Sequence, residues 1–239
     1  MHKGKEIQEI KTDIIVNSTG VWAPELARLA GIKSIPQETF EHGYLVTQPI
    51  DSVDPLKTPN VRDHDLSIAL RVSGKSFQIS YYEQNPVRIT GTENSLAPFS
   101  QFDFNWDRAA ENIDNSTKLM QVIKDVGIKT TICGPESFTP DHKPLLGEDV
   151  NIKGFYYASG FNSFGICMSG GCGQQIAKWI HHGKPDLDMF AYDIRRFNRN
   201  LIGNKIWNQQ RCHESYAKNY GIVYPQDEHV CGKKVWYFN

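Results

Sequence analysis

No apolar run in the 239 residues approaches the ~18 that a membrane-crossing helix needs. The opening MHKGKEIQEIK has neither the apolar stretch of a secretion signal nor the Arg- and Ser-rich character of a transit peptide. Charge of one sign is also missing: 26 Lys and Arg stand against 27 Asp and Glu, a net charge of −1, so the basic surface expected of a nucleic-acid binder is absent. The five cysteines, Cys133, Cys167, Cys172, Cys212 and Cys231, form no C-x-x-C pair. That pattern argues against a disulfide framework or zinc site and leaves reduced, buried thiols as the expectation. There is no G-x-G-x-x-G, no phosphate-binding loop, no nucleophile elbow, no metal-binding His pair and no internal repeat. Without a secretion signal, the N-S-T sequons at Asn17 and Asn115 carry little weight.

What is present reads as alternating structural character. Asp13 to Asn17 is a short apolar run that predicts a buried strand, and Thr19-Gly20 supplies a turn. Trp22, Leu26, Leu29 and Ala30 then share a helical face up to Gly31. From Ile35 to about Ile89 the runs Tyr44–Val46, Ser67–Val72 and Phe77–Tyr82 predict an antiparallel meander. A helix is expected over Trp106–Asp125, and Phe155–Gly160 reads as a second buried strand. A Gly-rich bend, Gly165 to Gly173, then leads into a helix Gln174–His182 stopped by Gly183-Lys184-Pro185. Residues beyond Pro185 lack sustained apolar periodicity and read as a wrapping tail. The order is α/β, inserted β-meander, α/β again.

The segment GFNSFGICMSGGCGQQIAKWI carries the strongest local chemical signal. Its glycines permit close backbone approach to a flat or charged ligand, and a helix start near Gly173 would aim free N–H groups at it. Tight helix–strand packing explains the same glycines equally well. The end of V-N-S-T-G-V-W, with Gly20 beside Trp22, leaves the same two readings open. Asp141-His142-Lys143, in a loop bracketed by prolines, offers a histidine with a neighbouring carboxylate. Loop histidines of this kind, like His64 in Arg62-Asp63-His64-Asp65, are more often structural.

Taken together, VNSTGVWAPELARLAGI, PNVRDHD, CGPESFTPDHKPLLGE, GFNSFGICMSGGCGQQIAKWIHHGKP, MFAYDIRRF and HESYAKNY resemble the middle of the sarcosine dehydrogenase family. These flavin-dependent amine oxidoreductases include dimethylglycine dehydrogenase and the regulatory subunit of pyruvate dehydrogenase phosphatase. The match runs over about residues 7–230. It implies an α/β FAD-binding domain, residues 1–34 and 132–183, interrupted by an antiparallel substrate-binding sheet, residues 35–131, with 184–239 as a C-terminal tail. It also implies oxidative N-demethylation of an N-methyl amino acid in the mitochondrial matrix, with a flavoprotein as a possible electron acceptor and no nucleic-acid or membrane partner.

Carried over by position, Gly20 and Trp22 match the strand-end FAD segment, and Gly160, Phe161, Asn162, Ser163, Phe164, Gly165 and Ile166 match the loop passing the flavin ring. Ala69, Arg71 and Tyr82 fall on the substrate sheet; no catalytic residue and no metal ligand is assigned. Several departures are visible. The family's covalent flavin histidine and tetrahydrofolate module have no counterpart in this chain, as expected of an internal fragment. Ala69 replaces a tyrosine, Ser80-Tyr81 replaces Gly-Gly, and Phe164 and Ser169 replace smaller residues. A non-catalytic regulatory role, like that of the phosphatase subunit, is the alternative.

Overall fold

The computed structural model describes residues 9–89 and 101–227; Cys231, the opening MHKGKEIQ and the closing GKKVWYFN lie outside them. Two sheets organise the chain. The smaller has the order β1 (Ile15–Asn17), β8 (Phe155–Ser159), β7 (Leu145–Glu148), with β1 parallel to β8 and β7 antiparallel to it. The larger is five-stranded and antiparallel: β3 (Val61–Asp63), β4 (Ile68–Ser73), β5 (Ser76–Tyr81), β2 (Glu38–Thr47), β6 (Ile128–Phe138). The larger sheet is built entirely from sequence lying between the paired strands β1 and β8, the interruption the sequence predicts.

Helix α1 (Ala23–Leu29) and α2 (Trp106–Leu119) precede β6, and α3 (Gly165–His182), α4 (Arg199–Gly203) and α5 (Lys205–Ala217) follow β8. Ala23 and Ala27 bury α1 against Leu145, Phe155 and Tyr157 on one face of the small sheet. Trp179, Ile176 and Cys172 of α3 cover Leu146 and Tyr156 on the other. In the large sheet, Leu45, Leu70, Phe77 and Ile79 form one apolar face. Helix α2, capped by the Asn105 side chain on Arg108 N–H, packs Ala109 beside Ile68 and Tyr81 of that sheet.

Several expectations need correction. Leu29 is exposed and Trp22 lies in a 3₁₀ turn (Gly20–Trp22); the buried α1 residues are alanines, because small side chains let this helix approach the sheet closely. β1 is buried only at Asn17, whose amide donates to Ala23 O, while Ile15 and Val16 are exposed. The helix expected to reach Asp125 ends at Leu119 and gives way to a 3₁₀ turn, Gln121–Ile123. β6 was not foreseen: Gly134 and Pro135 interrupt its apolar pattern, and its place at the sheet edge tolerates a proline. The boundary expected at 131–132 therefore falls inside a single strand. The supposed tail contains α5, whose Cys212 and Tyr216 pack with Phe40 and Phe138 of the large sheet. Cys133, Cys172 and Cys212 are buried as expected, but Cys167 is exposed. Among the described residues no helix is long and apolar enough to cross a membrane, and no cluster of His, Cys, Asp and Glu suits a metal.

Candidate functional site

At the C-terminal end of β1, Gly20 adopts φ +60, a left-handed conformation that a glycine accepts without strain. The neighbouring strand β8 ends at Gly160, φ +65, where a Cβ would stand 2.7 Å from Thr139 Cγ2. The chain then passes through Asn162 (φ 50) and Ser163 (φ 74), two non-glycine residues in the same left-handed region, before α3 begins. Such strain persists only where neighbours hold it, and Asn162 is held. Its carboxamide oxygen accepts from Thr139 N–H at 2.8 Å, and its amide donates to Gly160 O at 2.6 Å.

The structure starts α3 at Gly165, earlier than the Gln174 start the sequence suggests. Cys172, Gln175, Ile176 and Trp179 repeat at helical spacing on its buried side, which outweighs the propensity cost of its glycines. The N-cap residue Phe164 supplies no side-chain acceptor. The positive end of the helix, with its free backbone donors, therefore lies at Gly165 and Ile166 rather than at Gly173. Ile166 is 97% exposed, and a Cβ at Gly170, Gly171 or Gly173 would meet nothing within 4 Å, so packing does not require these glycines.

A groove of about 500 Å³ runs between these elements, lined by Val16, Ser18, Gly20, Phe161, Gly165 and Gly173 among others. Trp22, 37% exposed, is not part of its lining. Gln37 donates to Gly20 O at 2.9 Å, while its Oε1 and the nearby strand-end Ser159 Oγ are buried without a hydrogen-bond partner. A mostly apolar wall broken by Gly20, Gly165 and Gly173, an uncapped helix start and unsatisfied polar atoms behind the strand ends fit a flat heteroaromatic group with polar edges, so these residues suit a flavin.

The second surface is the face of the large sheet opposite α2. Register places Arg62, Ala69, Arg71, Gln78, Ser80, Tyr44, His42, Phe40, Gly134 and Glu136 on it. Tyr82, just beyond β5, is buried there, stacked on His42 with ring centroids 4.3 Å apart. Its hydroxyl donates to Glu136 Oε2 at 2.7 Å, and Ser163 of the strained loop lies close to it. Burial first, then the Glu136 charge, pushes the Tyr82 hydroxyl well above its ordinary pKa, so it stays protonated.

Phe138, Tyr216 and Tyr220 pack edge-on around the Tyr82 ring. Ala69 is half-buried against this cluster, whereas Arg71 is exposed, bonded to Gln78 at 2.7 Å, and lies toward the far corner of the sheet from Glu136. Ala69 and Tyr82 thus share one cluster, and Arg71 lies outside it.

His42, Glu136, Tyr216 and Tyr220 were missed by sequence reasoning. Their signal was the alternation of His42 with Phe40 along β2 and the i, i+4 spacing of the two tyrosines. Behind His42, Tyr216 OH lies 3.2 Å from its Nδ1 and donates to Glu83 at 2.8 Å; Glu83 and Glu41 both hold Arg108. The Asp141 carboxylate is bound by Arg196 rather than by His142, whose Nε2 pairs with Asn219. His64 pairs with the backbone oxygen of Tyr220 at 2.6 Å, a structural contact.

Comparison with known proteins agrees with this geometry. Residues 2–179 match the family model described as FAD dependent oxidoreductase, and residues 182–232 match the one described as FAD dependent oxidoreductase central domain. The mitochondrial sarcosine dehydrogenase of Mus musculus is 45% identical over 226 residues, 95% of this chain and 24% of that protein. The mitochondrial dimethylglycine dehydrogenase of Homo sapiens is 29% identical over 232 residues, 94% of this chain and 26% of that protein. The chain thus spans about a quarter of the length of these curated relatives. Among solved structures, L-proline dehydrogenase from P. horikoshii superposes with a TM-score of 0.66 at 28% identity, covering 80% of this chain and 48% of that one. With a family model matching most of its length and a mixed α/β fold shared with such enzymes, the chain belongs to the FAD-dependent oxidoreductase family.

Proposed function

We propose that these residues form the flavin-facing groove and the substrate-side sheet of an enzyme that oxidatively demethylates N-methyl amino acids. The observation that carries the reading is the seam between the two surfaces. Ser163, on the loop that borders the groove, lies close to Tyr82, which donates to Glu136 on the face of the sheet opposite α2, so a ring in the groove and a small molecule beside Glu136 would share one edge. The 45% identity to a sarcosine dehydrogenase supports an N-methyl amino acid as substrate, and the same relative supports a place in the mitochondrial matrix.

When bound, FAD supplies the hydride acceptor for oxidation of the N-methyl carbon. Gly20, Phe161 and Gly165 would flank the ring, while the uncapped start of α3 would offer donors and positive potential to its polar edge. Asn162 fixes the loop by its bonds to Thr139 and Gly160. Tyr82, protonated and held by Glu136 and His42, would wall the substrate side and keep water from the reacting edge.

The test is flavin retention by a fusion that adds, ahead of residue 1, the nucleotide-binding segment of a sarcosine dehydrogenase. The fusion should stay yellow through gel filtration, and Gly165→Val should lose much of that colour without loss of fold. A Val variant that keeps full flavin occupancy would remove the loop from the cofactor site.

A further inference from the structure

We propose that Glu136 is the carboxylate that receives the substrate's N-methyl ammonium group, over the hollow that Gly134 leaves in the sheet. The inference rests on the N-methyl amino acid reading and adds to it the group that recognises the amine.

Gly134 and Glu136 lie two residues apart on β6 and so share a face, with His42 paired opposite Gly134 and Phe40 opposite Glu136. Gly134 is not in a left-handed conformation, and a Cβ there would meet nothing within 4 Å. Neither backbone nor packing demands this glycine, and the open space above it leaves room for another molecule to approach the strand. The hollow is bordered by the His42 ring, stacked on Tyr82, and by Glu136.

The charge arithmetic points the same way. Glu38 holds Arg88, and Glu41 and Glu83 both hold Arg108. Glu136 is half-buried, accepts from Tyr82, and has no Lys or Arg within ion-pair distance among the described residues. A carboxylate half-removed from water and bonded by Tyr82, with Arg62 seated over the Tyr220 ring rather than paired to Glu136, can take a cation from a ligand. Aromatic faces joined to a carboxylate suit a methylated ammonium, which presents both apolar surface and charge. Tyr82, bonded to this carboxylate, lies close to Ser163 on the loop that borders the groove, which would bring the methyl carbon to the flavin side.

Two probes separate charge from shape: sarcosine, which carries the ammonium, and methoxyacetate, which has an ether oxygen in its place. Ligand-observed NMR on the folded chain measures the affinity of each. The wild type should bind both. Glu136→Gln should weaken sarcosine about 10-fold or more and leave methoxyacetate bound as well or better, because a charge-assisted bond is lost from the first and a repulsion between carboxylate and ether oxygen is relieved in the second. Gly134→Val, which fills the hollow and suits a strand, should weaken both. Circular dichroism confirms that each variant folds.

Equal affinity of the wild type and Glu136→Gln for sarcosine would overturn the assignment while leaving the substrate reading in place. Unchanged binding in Gly134→Val would move the site elsewhere and overturn it too. Failure of the wild type to bind either probe would overturn the N-methyl amino acid reading itself, and this assignment with it.

Discussion

Asn162 is bonded to Thr139 across the gap between the two sheets: its carboxamide oxygen takes the Thr139 N–H at 2.8 Å and lies 3.2 Å from the threonine hydroxyl. One buried side chain thereby fixes the left-handed loop at the end of β8 to the end of β6. Asn162→Gly keeps the backbone freedom that φ 50 requires and removes only the bonds. The variant should lose about 2 kcal/mol of stability in urea unfolding, from the lost buried hydrogen bonds and from the Thr139 N–H and Gly160 O left unpaired. A change smaller than about 0.5 kcal/mol would mean the loop holds itself.

Two glycines of the same segment should respond with opposite signs. Gly160→Ala places a Cβ at 2.7 Å from Thr139 Cγ2 and 3.3 Å from Leu145 Cγ at a left-handed φ, so the melting temperature should fall. Gly173→Ala, in a helix and facing open space, should raise stability by about 0.5–1 kcal/mol. In the flavin-retaining fusion Gly173→Ala should nonetheless reduce occupancy, because the new methyl group enters the groove. A variant both more stable and fully yellow would show that this glycine does not face the ring.

Burial lowers the pKa of His142 below its ordinary 6.5, against the raising effects of Asn219, Asp141 and Glu136. Burial also lowers that of His213. The unfolded chain then binds more protons than the folded one just below pH 6.5, so this stability is complete above that pH and is lost as pH falls through the folded values. Unfolding free energies measured across this window should decline toward acid, and His142→Gln should flatten the slope. An unaltered slope in that variant would assign the acid sensitivity to other groups.

Thiol reactivity should follow burial. Cys133 sits beside Glu41 and under α2, and burial pushes its thiol up to about 11. Burial likewise raises Cys172, and raises Cys212 well above its usual range. Iodoacetamide at neutral pH should modify the exposed Cys167 first among the described cysteines, as read by peptide mass mapping. Rapid labelling of Cys212 would show that α5 does not stay packed on the sheet.

The strands flanking the groove were legible because apolar runs ended at Gly20 and Gly160, where the chain must turn. α5 was not, because most of what it buries is polar or aromatic. Asn208 donates to Glu38 at 2.9 Å, and Glu214 holds Arg211 and Lys218, so polar groups occupy positions where a periodicity argument looks for leucine. The start of α3 was hidden for a related reason: its glycines read as loop, and only the packed face from Cys172 to Trp179 shows that they are helical. Glu136 and His42 belong to strands far apart in sequence, and only the β2–β6 register brings them to one face.

The central claim, that one seam joins a flavin groove to an N-methyl amino acid site, is tested most directly by anaerobic absorption spectroscopy of the yellow fusion. Addition of sarcosine should bleach the flavin band, addition of methoxyacetate should perturb it without bleaching, and Glu136→Gln should slow the bleaching about 10-fold or more. A fusion that binds flavin fully yet is bleached by no N-methyl amino acid would contradict the account.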